Sequence, residues 1–424
     1  MLIADPVTRM VVIIALLLLL GRAGEFIFSK TGVPDMIWLV LAGIVAGPVL
    51  HRVPLDMLTP VLPFFGAVAL IVILGGGGLR LKIREVAKAA PRGAALAVSG
   101  FLFSVAGTCV FGELMAAVGV FPNLGLTEWI MIGSILGGTS SLVVMPAMAG
   151  GGVSGATARL LEIESCITDA LCVIVAMVVI GLLAGGASVE NPATALMKQV
   201  VIGCLAGGIG GAAMLPMLAR LAGKPGHYTA LLSGMLVLYA AVQVAGGNGA
   251  LGVLTCALVL GNADELFGRS RPEKALQSLG DDPAIELVQG HVAFFMKSFF
   301  FFIIGLMFPT SPKLILAGAG LALVLALFRI PAVLISLWKS DFNPGERRLI
   351  SACVPRGLAA GVMSTVPLQA HIPHMEELTP GIFSTIVFTI LLFAGAFAMV
   401  KRRGPALAHD EKASVPPEGA PYKI

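Results

Sequence analysis

Glu162, Glu164 and Asp169 stand within LEIESCITDALCVIV (161–175), inside an apolar run long enough to cross a bilayer. A carboxylate inside a membrane is costly, and by default it marks an ion or proton pathway. Helical periodicity puts Glu162, Ser165 and Asp169 on one face, with Glu164 and Thr168 on the adjoining one. Asp169 is about 10 Å further along the helix than Glu162 at 1.5 Å per residue. Glu162 is therefore expected at a solvated boundary, Glu164 at intermediate depth and Asp169 deepest. The plain alternative for Asp169 is a packing ion pair.

Three further stretches carry chemistry. GSILGGTSSLVVMPAMAGGG (133–152) places Gly137, Gly138, Thr139, Ser140 and Ser141 in mid-run, with Pro146 after them. Glycine and small hydroxyl residues let a helix unwind, freeing carbonyls and hydroxyls as ligands for a hard cation. Close packing through small residues is the competing reading. SACVPRGLAAGVMSTVP (351–367) joins a break at Pro355 and Gly357 to Arg356, a permanent cation that needs a carboxylate. Glu164 is the expected partner, unless Arg356 reaches the membrane edge. FFMKSFFFFIIGLMF (294–308) sets Lys297 among phenylalanines, where it pairs with Asp169, pairs with another acid, or reaches the edge. Arg329 lies nearer the edge of its run and is expected to snorkel.

The elements that must position these groups are membrane helices. The chain has 424 residues, 57% hydrophobic and only 12% charged, against about 25% charged in soluble proteins. About thirteen spans are expected, near 9–28, 35–50, 57–79, 91–119, 127–149, 157–185, 194–222, 227–245, 248–263, 286–309, 312–338, 346–369 and 378–401. Segment 264–285 reads as an interfacial helix and loop, and 402–424 as a disordered cytoplasmic tail. With the N-terminus outside, most of the 28 Lys and Arg fall in cytoplasmic loops, and only Arg9, Arg52, Lys198 and Lys313 fall opposite. That asymmetry sets the N-terminus outside and the C-terminus inside.

An internal repeat is faintly visible. AGIVAGP (42–48) ends span two and CALVLGN (256–262) ends span nine, so Gly47 matches Gly261. In spans three and ten, Gly78 matches Gly305. An odd offset of seven spans inverts topology. Repeat one is then about 9–185, a linker helix about 194–222, and repeat two about 227–401. The fold class is thus all-α membrane protein: two inverted repeats with discontinuous crossing helices at spans five and twelve.

Other chemistries find little support. The six cysteines lie in apolar segments with no CxxC, and the six histidines form no HExxH. No basic, aromatic-interleaved patch suggests nucleic acid. Gly208 to Ala213 formally fits GxGxxA but follows no strand, so the dinucleotide reading fails. Gly203, Gly207 and Gly211 read instead as a packing face. No cofactor is expected. A membrane enzyme would need a nucleophile and base or metal ligands inside the spans, and Cys166 and Cys172 have no evident base.

On these residues the sequence resembles the cation:proton antiporters, of the prokaryotic thirteen-helix sodium/proton exchanger type, from about residue 9 to 401. Glu164-Ser165-Cys166-Ile167-Thr168-Asp169 is similar to the family's E-S-L-x-N-D; Val354 to Gly357, Gly249 to Asn262 and Phe294 to Leu306 add to the likeness. The resemblance implies that Asp169 carries cation and proton in turn, that Glu164 pairs with Arg356, and that Ser165 and the Thr139 carbonyl help coordinate the ion. Ser140 and Thr168 join this candidate site, with Glu162 at its entrance. Asp169, Ser165, Glu164 and Thr139 form the expected ligand set for a monovalent cation, and Arg356 and Lys297 are the charge partners.

The chain departs from the family's pattern at three places. Thr168 stands where the family has Asn. Thr139-Ser140-Ser141 stands where Thr-Asp-Pro is frequent, so one acidic ligand is missing. Lys297 stands where the electroneutral branch usually has Arg. The expected activity is exchange of Na⁺, or of K⁺ or Li⁺, for H⁺ by alternating access. The moving core would be spans three to six and ten to thirteen. The setting would be the inner membrane, as a homodimer serving pH homeostasis. A potassium-efflux or channel-like pathway is the alternative.

Overall fold

The computed structural model describes residues 6–31, 34–51, 62–80, 83, 91–150, 155–184, 192–221, 224, 226–267 and 283–402. The expected tail from 403 on, and most of the loop 264–285, lie outside them. The described residues are almost entirely helical. Seven helices are long and apolar enough to cross a membrane, and five shorter apolar segments accompany them. Boundaries fall within a few residues of the expected spans.

In chain order the helices are α1 (Pro6–Thr31), α2 (Asp35–Ile44), α3 (Leu62–Arg80), α4 (Pro91–Ala117), α5 (Leu126–Ile135), α6 (Ser141–Gly150), α7 (Gly155–Ala184), α8 (Pro192–Leu221) and α9 (His227–Val244). They continue as α10 (Gly249–Gly261), α11 (Ala263–Phe267), α12 (Pro283–Leu306), α13 (Pro312–Ser336), α14 (Pro344–Ala352), α15 (Leu358–Met363), α16 (Val366–Gln369) and α17 (Met375–Arg402). A π-helical turn, Val45–Val49, extends α2 around Pro48.

Packing divides these helices into two bundles. α4, α5, α7, α13, α14 and α17 pack mainly on one another. α1, α2, α3, α8, α9, α10 and α12 form the second bundle, with α3 on α10 and α12 on α2. Spans three and ten therefore belong with the second bundle, not with the core expected to hold them. Their glycines explain why: these helices approach to backbone contact. A Cβ on Gly43 would stand 2.8 Å from Gly305 Cα, and one on Gly78 would stand 2.6 Å from Ala257 Cβ. Gly47 lies against Leu306 and Gly261 against Leu79. α8 docks on α10 through the expected small-residue face: Cβ atoms at Gly203 and Gly211 would lie 2.8 and 3.0 Å from the carbonyls of Asn248 and Cys256, with Gly207 on Gly252 between them.

Two helices are interrupted where the sequence loses helix-forming residues. α5 ends at Ile135 and helix resumes at Ser141, across Gly137, Gly138 and two hydroxyl residues that bond locally. α14 ends at Ala352 and helix resumes at Leu358. Pro355 has no N–H to continue a helix, and it biases Val354 toward extended backbone. The start of α14 is fixed by a capping box, with Asn343 and Glu346 each accepting the other's backbone N–H. Thr157 of α7 donates to the same Glu346 at 3.2 Å.

Candidate ion site

The two interruptions touch. Ser140 donates its backbone N–H to the Pro355 carbonyl at 2.9 Å. Gly357 has no Cβ, and the Ser140 side chain occupies the space a Cβ would need.

Arg356 fills the gap left by the first break. Its guanidinium donates to the Gly138 carbonyl at 2.6 Å, the Gly137 carbonyl at 3.4 Å and Ser104 Oγ at 2.9 Å. Its own backbone N–H donates to Thr389 Oγ1 at 3.1 Å. The carbonyls just past the C-terminal end of α5 are the orphan acceptors of a helix end, and a cation there also complements the helix dipole. Arg356 is buried and bonds to backbone oxygens rather than to the expected Glu164.

Glu164 is held by Arg329. Arg329 Nη1 and Nη2 donate to Glu164 Oε1 and Oε2 at 2.7 and 2.9 Å, and Arg329 Nε donates to the Ile350 carbonyl at 2.9 Å. Arg329 is 5% exposed, so it does not snorkel. Two corrections follow: Glu164 pairs with Arg329 instead of Arg356, and Arg329 faces the bundle interior. The physical reason is geometric. A planar fork matches a carboxylate, and Gly100 on α4 lies alongside both groups at ordinary contact distance. The terminal nitrogens of Arg356 are meanwhile taken by the Gly137 and Gly138 carbonyls and by Ser104 Oγ.

Ser165, Thr168 and Thr139 form a buried strut. Ser165 Oγ donates to the Thr139 carbonyl at 2.7 Å and accepts from Ser141 N–H at 2.8 Å. Thr168 Oγ1 donates to the Ser165 carbonyl at 3.1 Å and accepts from Thr139 N–H at 3.3 Å. Thr139 Oγ1 donates to Glu164 at 3.3 Å. These bonds tie α7 to the first break.

Asp169 stands apart from that network. It is half-buried, and among the described residues it makes no hydrogen bond or ion pair. It lines a cavity of about 370 Å³ together with Ser140, exposed Glu162, Cys166, Lys297 and Leu358. The cavity lies between the two bundles, with α7 and the breaks on one wall and α3 and α12 on the other. The expected ligand set is thus split: Asp169, Ser140 and Glu162 face the cavity, whereas Glu164, Ser165, Thr139 and Thr168 are behind its wall.

Lys297 faces this cavity but turns to Asp35. Its Nζ is 2.6 Å from Asp35 Oδ2 and 3.6 Å from Glu25 Oε1, and 5.1 Å from the centre of the Phe294 ring. Of the alternatives left open by the sequence, another acid is its partner. Asp35 was missed because it opens a span directly after Pro34 and reads as an end charge. A second cavity, of about 920 Å³, opens at the other end of α12 between His51, Phe121, Phe308 and His374. It contains none of the candidate residues.

Known proteins fit this picture. The K(+)/H(+) antiporter NhaP2 of Shewanella sp. (strain ANA-3) is 27% identical over 99% of this chain and 70% of its own length. Na(+)/H(+) antiporter 1 of Methanocaldococcus jannaschii is 27% identical over 42% of this chain and 41% of its own. A solved structure of the sodium proton antiporter MjNhaP1 from that organism, at pH 8, shares the fold with a TM-score of 0.75. It is 19% identical, and the match covers 94% of this chain and 99% of that one. The family model described as sodium/hydrogen exchanger, transmembrane matches residues 12–402, and the chain belongs to that family of membrane antiporters.

Proposed function

We propose that this protein exchanges one monovalent cation for a proton by alternating access, the two competing for Asp169. The observation that carries this is a carboxylate with no partner among the described residues, in a cavity between two helix bundles. An unpartnered charge there is costly until a cation or a proton neutralises it. Neutralisation lowers the cost of moving Asp169 past the second bundle, and an empty charged site stays put. That difference couples the two gradients.

In this reading Asp169 is the carrier and Ser140 a neutral oxygen facing it. Glu162 draws cations toward the cavity mouth. Glu164 with Arg329, and Ser165 with Thr139 and Thr168, brace the helix that presents Asp169. Arg356 holds the two breaks together. The cation beside Glu164 is an arginine, which stays protonated, and Lys297 is bound in the opposite wall. One titrating carboxylate then supports exchange of one cation per proton. Na⁺ is the first substrate to test, with K⁺ and Li⁺ suited by the same oxygen ligands; the relatives' names include both K⁺ and Na⁺ exchange.

The architecture we propose has thirteen spans, with spans five and twelve as discontinuous crossing helices in two inverted repeats. The repeat matches support it. Exchanging Gly47 with Gly261 and Gly78 with Gly305 turns the Gly47–Leu306 contact into Gly261–Leu79, and Gly43–Gly305 into Ala257–Gly78. The basic loops favour the N-terminus outside and the C-terminus inside, and the proposed setting is the inner membrane. The Asp169 cavity then opens to the cytoplasm. A homodimer is the proposed assembly.

The test is exchange in proteoliposomes carrying a pH-sensitive dye. A pulse of Na⁺ or K⁺ should dissipate an imposed pH gradient. Full exchange by Asp169→Asn would overturn the proposal.

A further inference from the structure

We infer that Asp35 is a positioning residue for transport: it holds the Lys297 ammonium in the cavity wall and keeps it from competing with the cation for Asp169. The inference rests on the antiport reading above.

Lys297 and Asp169 line the same cavity from opposite bundles. A lysine ammonium rides on a flexible four-carbon stem and is a compact charge. Left unpartnered, it would be a tethered rival for the carboxylate that the transported cation must reach. The structure gives it a different seat. Asp35 Oδ2 takes Nζ at 2.6 Å, with Glu25 Oε1 at 3.6 Å.

That seat is built by α1 and α2. Asp35 is in the first turn of α2, where a carboxylate is favoured by the helix dipole. Gly24 lets α1 lie directly on it: a Cβ at 24 would stand 3.1 Å from Asp35 Cβ. Gly21 similarly makes room for Phe294. Glu25 is shared with Arg22, which bonds its other oxygen at 2.7 Å, so Asp35 is the acid committed to Lys297. Among the described residues, the other charged groups facing the cavity are Arg80, Glu162 and Asp169.

A purely structural bond is the competing account. α2 and α12 are already joined at backbone contact through Gly43 and Gly305, so docking them does not need this pair.

The test measures KM for Na⁺ and for K⁺ in proteoliposomes, with thermal stability in detergent beside it. Asp35→Asn is expected to raise KM about tenfold, the effect of about 1.4 kcal/mol, while the maximal rate is kept. Asp35→Glu should stay close to the parent. Lys297→Gln should lower KM, and the double change Asp35→Asn with Lys297→Gln should cancel the rise. An unchanged KM in Asp35→Asn, or a rise that persists in the double variant, overturns the inference. If Asp35→Asn does not reach the membrane, a raised KM in Lys297→Gln alone overturns it. Asp169→Asn, run alongside, reports separately on the antiport reading.

Discussion

Arg329 grips Glu164 with both terminal nitrogens, at 2.7 and 2.9 Å, and both side chains are buried. Removing one partner from such a pair leaves an uncompensated buried charge, which costs about 3–5 kcal/mol. Glu164→Gln is therefore expected to lower the melting temperature sharply and reduce the amount of protein in the membrane. Fluorescence-detected size exclusion after heating checks this, and a variant as stable as the parent would contradict the bracing role.

Asp169 should behave in the opposite way. Among the described residues it makes no hydrogen bond or ion pair that a substitution would break. Asp169→Asn is expected to abolish exchange while leaving the melting temperature within a few degrees of the parent. The contrast between Asp169 and Glu164, one lethal to transport and the other to stability, separates carrier from brace in a single pair of measurements.

Competition for one carboxylate also fixes a pH dependence. Protons should raise the cation's KM without lowering the rate at saturating cation. Where the site is mostly protonated, mass action makes each pH unit downward raise KM about tenfold. Initial rates over a pH series check this. A KM that is flat with pH would separate proton and cation sites.

Arg356→Lys tests the join between the breaks. The guanidinium reaches the Gly138 carbonyl and Ser104 Oγ at once, at 2.6 and 2.9 Å. A lysine supplies a point charge and cannot span both. Losing a charged hydrogen bond of this kind costs about 1.5–3 kcal/mol. Turnover is expected to fall at least tenfold, with the protein still inserted, as measured by exchange per molecule.

Much of the fold was legible because a bilayer enforces simple rules. Long apolar runs became helices within a few residues of their expected ends. Both interruptions were marked by residues that weaken a helix, Gly137 with Gly138 and Pro355 with Gly357. The partner of each buried charge was not legible. Arg329 and Arg356 are both cations in apolar runs, and nothing local says which meets Glu164. That choice is made in the assembled bundle, where the orphan carbonyls after α5 take Arg356 and leave Glu164 to Arg329. Asp35 and Lys297 are separated by 262 positions. The only local hint was an acid at the head of an apolar run. Membership of spans three and ten in the second bundle was hidden for the same reason, since their glycines specify close contact but not with whom.

The run Gly75 to Gly78 in α3 illustrates what such anonymity conceals. Its four glycines face four different helices: Met235 of α9, Gln289 of α12, Cys166 of α7 and Ala257 of α10. Three of these neighbours belong to α3's own bundle and sit closer than ordinary contact. The fourth, Cys166, belongs to the other bundle and would meet a Cβ at 77 at a relaxed 3.5 Å. One turn of helix is thus a press fit on three sides and a running clearance on the fourth. A methyl at 78 would press on Ala257 and the backbone of α10, one at 76 would only displace the movable end of Gln289, and one at 77 would tighten the bearing against the helix that carries Asp169.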